Sequence, residues 1–314
     1  MPIPFILGGL ALAAGGYGVK KGLDASEKND KAKRIIKRAK RRYNESKEIL
    51  ETKQEFTNSK LEDLGRLKVE IFTHQIKDFI ELINKCKKGD SIYEDKRYLT
   101  QNEVKDLVVA VDNSLEISSG LLSGATAGAL TGMGAYGAVG MLASASTGTA
   151  ISTLSGAAAT NATLAWLGGG SLASGGLGMA GGTAVLGGLV AGPLLAVGGM
   201  FLDTKAEENL TQAREQEAEV DIAVEQMDLV AISLDGIVLR VDELQDVLIS
   251  TRKRFNKMLK NLPSSNYCQS EEFKRLMVTA KILKNLLDIP VLNKKGEASA
   301  KVTQRIEKTL KLGA

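Results

Sequence analysis

Between Glu116 and Asp203 the chain has no Asp, Glu, Lys, Arg or His, so residues 117–202 form an uncharged run of 86. A helix in water needs a polar stripe along its exposed side. An apolar run longer than about 18 residues is a candidate for crossing a bilayer. The block must therefore be hidden inside a folded body or meet lipid. It holds 22 of the chain's 33 glycines, set among Leu, Val, Met and Ala. That apolar company argues against a disordered segment, which is polar and poor in such residues.

The glycines are ordered. Gly120, Gly124, Gly128 and Gly132 stand four apart, and beyond Tyr136 the ladder resumes at Gly140, Ser144, Gly148, Ser152 and Gly156. A second ladder runs Ala180, Ala184, Gly188, Gly192, Ala196. Small residues at every fourth position open a shallow groove that admits a second helix backbone. In water each interior glycine weakens a helix by about 0.8–1 kcal/mol relative to alanine. In a bilayer an unpaired peptide group costs more than that, so glycine-rich segments stay helical there. The expectation is a membrane hairpin packed through Gly120, Gly124, Gly128, Gly132, Gly188 and Gly192. At about 1.5 Å per residue, 120–156 would reach roughly 55 Å and must bend or project, whereas 177–202 at about 39 Å suits one tilted crossing. The glycine-rich run 167–178 supplies the turn, Trp166 before it an interfacial anchor, and Pro193 a kink in the second arm. A permanently buried soluble core is the competing reading. The acidic flanks, Glu103, Asp112 and Glu116 before and Asp203, Glu207 and Glu208 after, suit a segment first hidden and later released.

Residues 2–19 are also uncharged and end at Lys20–Lys21. No Lys or Arg precedes this run, as a secretory leader requires. Eleven basic residues fall among positions 20–42 instead. That charge bias would hold the following chain in the cytosol. Residues 1–23 read as a retained membrane-interacting segment, with a cleaved leader and a soluble core helix as alternatives. Within "KAKRIIKRAKRR" (31–42), eight of twelve residues are basic. Lys37, Arg38, Lys40, Arg41 and Arg42 are expected to meet anionic lipid headgroups, each contributing about 1 kcal/mol near the surface. A solvated helix face is the plainer alternative. Nucleic acid is the weakest, since Tyr43 alone offers a stacking ring nearby.

The charged remainder reads as helix throughout. Residues 24–116 carry a basic helix continuing into an amphipathic stripe (Leu61, Leu64, Leu67, Ile71, Phe72, Ile76, Phe79, Ile80, Ile83), broken once before about 90. A further helix follows from about 101, where Thr100 and Glu103 make a capping box. Residues 203–262 form one long helix whose apolar positions alternate steps of three and four, among them Val230, Leu234, Ile237, Val241, Leu244 and Leu248, the seam of a coiled coil. Pro263 ends it, and 263–314 holds shorter helices near 269–288 and 297–312. No stretch shows the alternation of a strand. The fold class is all-α: a long helical, coiled-coil bundle with a glycine-rich apolar hairpin and an apolar N-terminal segment.

Catalytic chemistry finds no inventory. The single histidine, His74, lies among Ile71, Phe72 and Ile76 and reads as a packing or surface residue. "GMGAYG" (132–137) matches a dinucleotide fingerprint only formally, with no strand before it and no acidic residue until Asp203. No phosphate loop, nucleophile elbow or Cys/His metal spacing occurs. No enzyme activity, cofactor or metal is expected. Cys86 and Cys268 stand apart in Lys-rich and polar contexts, which suggests no disulfide framework and makes a reducing compartment the default.

The stretches "IPFILGGLALAAGGYGVKKGLDA" and "ATNATLAWLGGGSLASGGLGMAGGTAVLGGLVAGP" resemble a group of uncharacterised bacterial proteins with glycine-rich hairpins. The layout, long helices at 24–90 and 203–262 flanking an apolar hairpin, resembles the α-helical pore-forming proteins of the haemolysin E class. This hairpin is longer than theirs, and the N-terminus is itself apolar. The leading expectation, from the glycine ladders together with this layout, is a protein that is soluble before insertion, then enters a lipid bilayer as a homo-oligomer packed through its glycine faces. Its effect would be to permeabilise or remodel that bilayer, as an effector in bacterial conflict or defence. The rival expectation is a membrane-anchored coiled-coil scaffold that recruits a protein partner through 203–314. In both, the bulk of the chain lies in the cytoplasm.

Overall fold

A computed structural model describes residues 20–86, 97–120, 130, 133–135, 137, 210–264, 266–293 and 298–313. These residues are helical, and among them the nearest approach to a strand is one isolated bridge between Leu292 and Ala298. Helix α1 spans Lys20–Ile71, a π-helical turn Phe72–Ile76, α2 Lys77–Lys85, α3 Gln101–Gly120, α4 Leu210–Lys260, α5 Glu271–Leu287 and α6 Val302–Leu310. The capping box starts α3 as read: Thr100 N–H donates to Glu103 Oε2 at 2.8 Å, and Glu103 N–H donates to Thr100 Oγ1 at 3.2 Å. Ser270 caps α5 by accepting from Phe273 N–H at 3.1 Å.

The frame is the packing of α1 along α4. Lys53 bonds Asp235, Lys60 bonds Asp242 at 2.9 Å, and Arg252 bonds Glu70 at 3.0 Å, each pair 182 positions apart. Rising numbers match rising numbers, so the two helices run in the same direction. The constant offset holds the pair in one register, in which the buried repeat of α4 falls two positions beyond the residues level with the buried repeat of α1. On α4 the buried positions step by seven from Ala213 through Val220, Met227, Leu234, Val241, Leu248 and Phe255, accompanied by Ala223, Ile237, Leu244 and Thr251. On α1, Tyr43, Leu50, Thr57, Leu64 and Ile71 do the same, and Ala32 and Ala39 extend the buried face downward. The seam is lined by alanines near the start of both helices and by Leu, Ile and Phe further on. Of the heptad residues read from sequence, Val230 is only partly buried and its neighbour Ala231 lies deeper.

Toward the other end α2, α3, α5 and α6 pack around the pair. The π turn shifts the apolar face by one residue, which places Phe72, Gln75, Ile76, Phe79, Ile80 and Ile83 in the interior. Phe79 meets Phe255 edge-on at 5.9 Å. This turn is the one break in the long first helix, and no proline causes it.

The cysteines require a correction. Cys86 and Cys268 form a disulfide, Cα to Cα 5.8 Å, again 182 positions apart. They are remote in sequence but level in the shared register, so the constant offset that aligns the salt bridges also aligns the sulfurs.

Candidate functional site

Because α1 and α4 run parallel, Lys20 and Leu210 lie at the same end of the pair. Both uncharged stretches of the sequence therefore join the frame there: residues 1–19 lead into α1, and the chain following Gly137 leads into α4. At that end α1 is basic, whereas α4 at the same heights is acidic, with Glu215, Glu217, Glu219, Asp221, Glu225 and Asp228 against Arg214. A groove of about 950 Å³ lies at this end, and seven of the twelve described residues lining it are Lys or Arg, including Lys31, Arg34, Lys37, Arg38 and Arg214. Ile35 and Leu210 add apolar surface, and Glu45 and Glu48 add two carboxylates at its far side from Lys31 along α1. Cations over an apolar floor can hold a group with an anionic head and an aliphatic body.

Of the residues expected to face lipid, Lys37, Arg38, Lys40 and Arg41 are exposed on α1. Arg42 points elsewhere: it bonds Asp221 at 2.6 Å and Glu217 at 3.4 Å, tying α1 to α4. It lies on the side facing the partner helix, so it belongs with Lys53 and Lys60.

A second constellation lies further along α1, where the first part of the uncharged block is docked into the body. Leu130, Met133 and Ala135 are buried, and residues 133–135 form a helical turn. Gly134 crosses α1 at Gly65. A Cβ on Gly65 would sit 1.9 Å from the Leu130 carbonyl oxygen, and one on Gly134 would sit 1.9 Å from that of Leu61. Only glycine at both positions permits this contact. The turn ends at Gly137, whose φ of 71° is left-handed and whose N–H returns to the Met133 carbonyl at 3.0 Å, a glycine C-cap. The Ala135 carbonyl accepts from Val291 N–H at 2.7 Å and Leu292 N–H at 3.1 Å.

Lys68 closes this dock. Its side chain is fully buried, and its Nζ donates to the carbonyls of Met133 (3.3 Å), Gly134 (3.4 Å) and Ile289 (3.3 Å). A cation at the carbonyl end of a helical turn is favourable. Burial wins nonetheless and lowers its pKa to about 7, although the Asp288 charge pulls the other way. Asp288 is itself raised by burial, against the pull of Lys284 at 2.9 Å. Glu103, held by Lys281 and the Thr100 cap, is shifted down despite its burial.

Neither Gly65 nor Lys68 stands out by composition, but both carry a signal. Gly65 is the sole glycine between Gly22 and Gly89, placed mid-helix where it costs stability. Lys68 interrupts the apolar stripe between Leu64 and Ile71. Gly120 ends α3. Gly124, Gly128, Gly132, Trp166, Gly188 and Gly192 lie outside the described residues. His74 is exposed on the π turn and bonds the Glu70 carbonyl at 3.0 Å. Among the described residues no helix is long and apolar enough to cross a membrane. No protein-family model, no curated protein and no solved structure matches the chain.

Proposed function

We propose that this chain is a membrane-acting helical protein whose uncharged block leaves the folded body to permeabilise or remodel an anionic bilayer. The observation that carries this reading is the convergence of both uncharged stretches on the end of one parallel helix pair where α1 exposes its cations. That end can approach headgroups through Lys37, Arg38, Lys40 and Arg41 while delivering apolar chain from two points. In this reading α1 and α4 form a coiled-coil stalk, and the block is a hairpin whose glycine faces self-associate in lipid, with Trp166 at the interface. The dock at Gly65, Gly134 and Lys68 is the resting position of the block's first turns, and it must open before those residues can leave. No cofactor or catalytic step is needed. The chemistry is exchange of a protein surround for a lipid one, nearly neutral for apolar side chains, so packing between glycine faces in lipid must favour the inserted state.

The test is flotation of the whole chain with vesicles of neutral lipid and of neutral lipid mixed with anionic lipid. The reading predicts flotation with the anionic vesicles, weakened by salt and by Lys37→Glu with Arg41→Glu. Equal flotation of the charge-reversed variant would remove the α1 cations from the account.

A further inference from the structure

We infer that the outer face of α4 docks against α1 of a second copy of this chain, side by side, in the same direction and without axial shift. The face is a second apolar repeat. Ile222 and Leu229 follow the buried Val220 and Met227 by two positions, and Ile232 and Leu239 precede the buried Leu234 and Val241 by two. Two positions are about 200° of helix, so this stripe lies opposite the seam that meets α1. All four are more than half exposed, at 56%, 62%, 66% and 60%. Seven-residue spacing of apolar side chains matches the requirement of another helix; among the described residues the row gains a neighbour only further on, where Gly236 meets Ala298 and Glu243 accepts from Thr303 of α6.

The choice of a second copy rests on what lies level with what. Along the pair, position n of α1 stands beside n+182 of α4. The acidic outer residues Glu215, Glu219, Glu225 and Asp228 are therefore level with 33–46 of α1, where Lys33, Arg34, Lys37, Arg38 and Arg41 are exposed. Ile232 and Leu239 are level with 50 and 57, next to Ile49 (55% exposed) and Phe56 (54%). Setting α4 of one copy against α1 of the next at equal height thus matches acid to base over 33–46 and sets Ile232 and Leu239 beside Ile49 and Phe56, while Ile222 and Leu229 stand level with Lys40 and Lys47, whose aliphatic stems can cover them. Any other parallel offset large enough to change the pairing loses one of the two matches. A symmetric α4-to-α4 pairing would bring the acidic rows together, which costs energy. The chain's own uncharged block could cover the apolar residues, but it has no cations for Glu225 and Asp228. Because the two contacting faces differ, the contact repeats from copy to copy and yields a ring or an open row. This interface lies in the charged helices, apart from the glycine faces, and is measured without lipid, so its failure leaves the membrane reading standing and the reverse holds too.

The experiment uses the full chain with a benzophenone amino acid at Ile232, mixing isotopically light and heavy protein before irradiation. The expected product joins light to heavy chains, with the attachment within about one helical turn of residues 49–57, the reach of the probe. Attachment to 222–239 of the other copy, attachment within one chain, or no joined species would each overturn the inference. Two charge-reversed chains give the second reading. Lys37→Glu with Arg38→Glu, and separately Glu225→Lys with Asp228→Lys, should each weaken self-association at least tenfold. Mixing the two should restore it. All four positions are exposed, so helical content should be unchanged. Association by either variant alone at wild-type strength, or no recovery on mixing, would also overturn it.

Discussion

Lys68 is the residue whose replacement tests most about how the uncharged block is held. Its folded pKa of about 7 lies well below the ordinary value of 10.5, so between those limits the unfolded chain binds more protons than the folded one. Stability contributed by this site therefore rises with pH across that window and is lowest below pH 7, where the buried amine must carry charge. The full span, about 3.5 pH units, corresponds to about 5 kcal/mol, and the part falling between pH 6 and pH 9 to about 2.5 kcal/mol. Lys68→Met fills similar volume and does not titrate. Urea unfolding of both proteins at pH 6 and pH 9 isolates the site as a difference of differences, which removes the other titrating groups. The exception is groups that sense Lys68 itself, chiefly Asp288 with its neighbours Lys284 and Asp106. Wild type should gain about 2.5 kcal/mol on the variant between pH 6 and pH 9. A flat or falling difference would mean that the three carbonyls keep the ammonium charged, and that burial does not govern the site. If the rise is found, acidification loosens the dock, which suits a block that must leave.

Four further outcomes follow from the same geometry. Gly65→Ala should cost about 2 kcal/mol or more in stability, despite the better helix propensity of alanine, because its Cβ would press on the Leu130 carbonyl. Gly236→Ala, whose Cβ meets only the Ala298 methyl at 3.8 Å, should stabilise by up to about 1 kcal/mol, and thermal melts of the two variants separate the cases. Cys86→Ser should lower stability by about 5 kcal/mol on chain-entropy grounds, since the bond closes a loop of 182 positions. Thiol labelling of purified unreduced protein should find no reactive cysteine, and two labelled thiols would contradict the Cys86–Cys268 bond.

The helices were legible because their signals are local: capping at Thr100, a stop at Pro263 and apolar steps of three and four from Met227 onward. The seam begins two repeats earlier than that pattern suggests. Ala213, Val220 and Ala223 occupy it, and alanine is equally at home on a surface, so period alone could not place them. The direction of α1 relative to α4 was not legible, because charge and apolar spacing on either helix fit both directions. That direction decides which ends converge, and with it the disulfide and the common attachment of the two uncharged stretches. The ladder residues drew attention by repetition. By contrast, the contact seen in the body sets Gly134 against the lone glycine of α1 and Gly137 against the Leu287–Asp288 backbone, and neither glycine is on the first ladder. A close approach between backbones depends on where two distant segments meet, and no spacing within one segment encodes that.

The central claim is that the uncharged block leaves the body and breaches an anionic bilayer. Its most direct measurement is release of dye from anionic vesicles by the whole chain, compared with a chain carrying Gly124→Leu and Gly128→Leu. Release by the first and loss of release by the second are expected, with the helical content of the outer helices unchanged. Vesicles that stay sealed while the protein binds them would contradict the claim and favour a membrane-anchored scaffold, and equal release by both chains would remove the glycine faces from the mechanism.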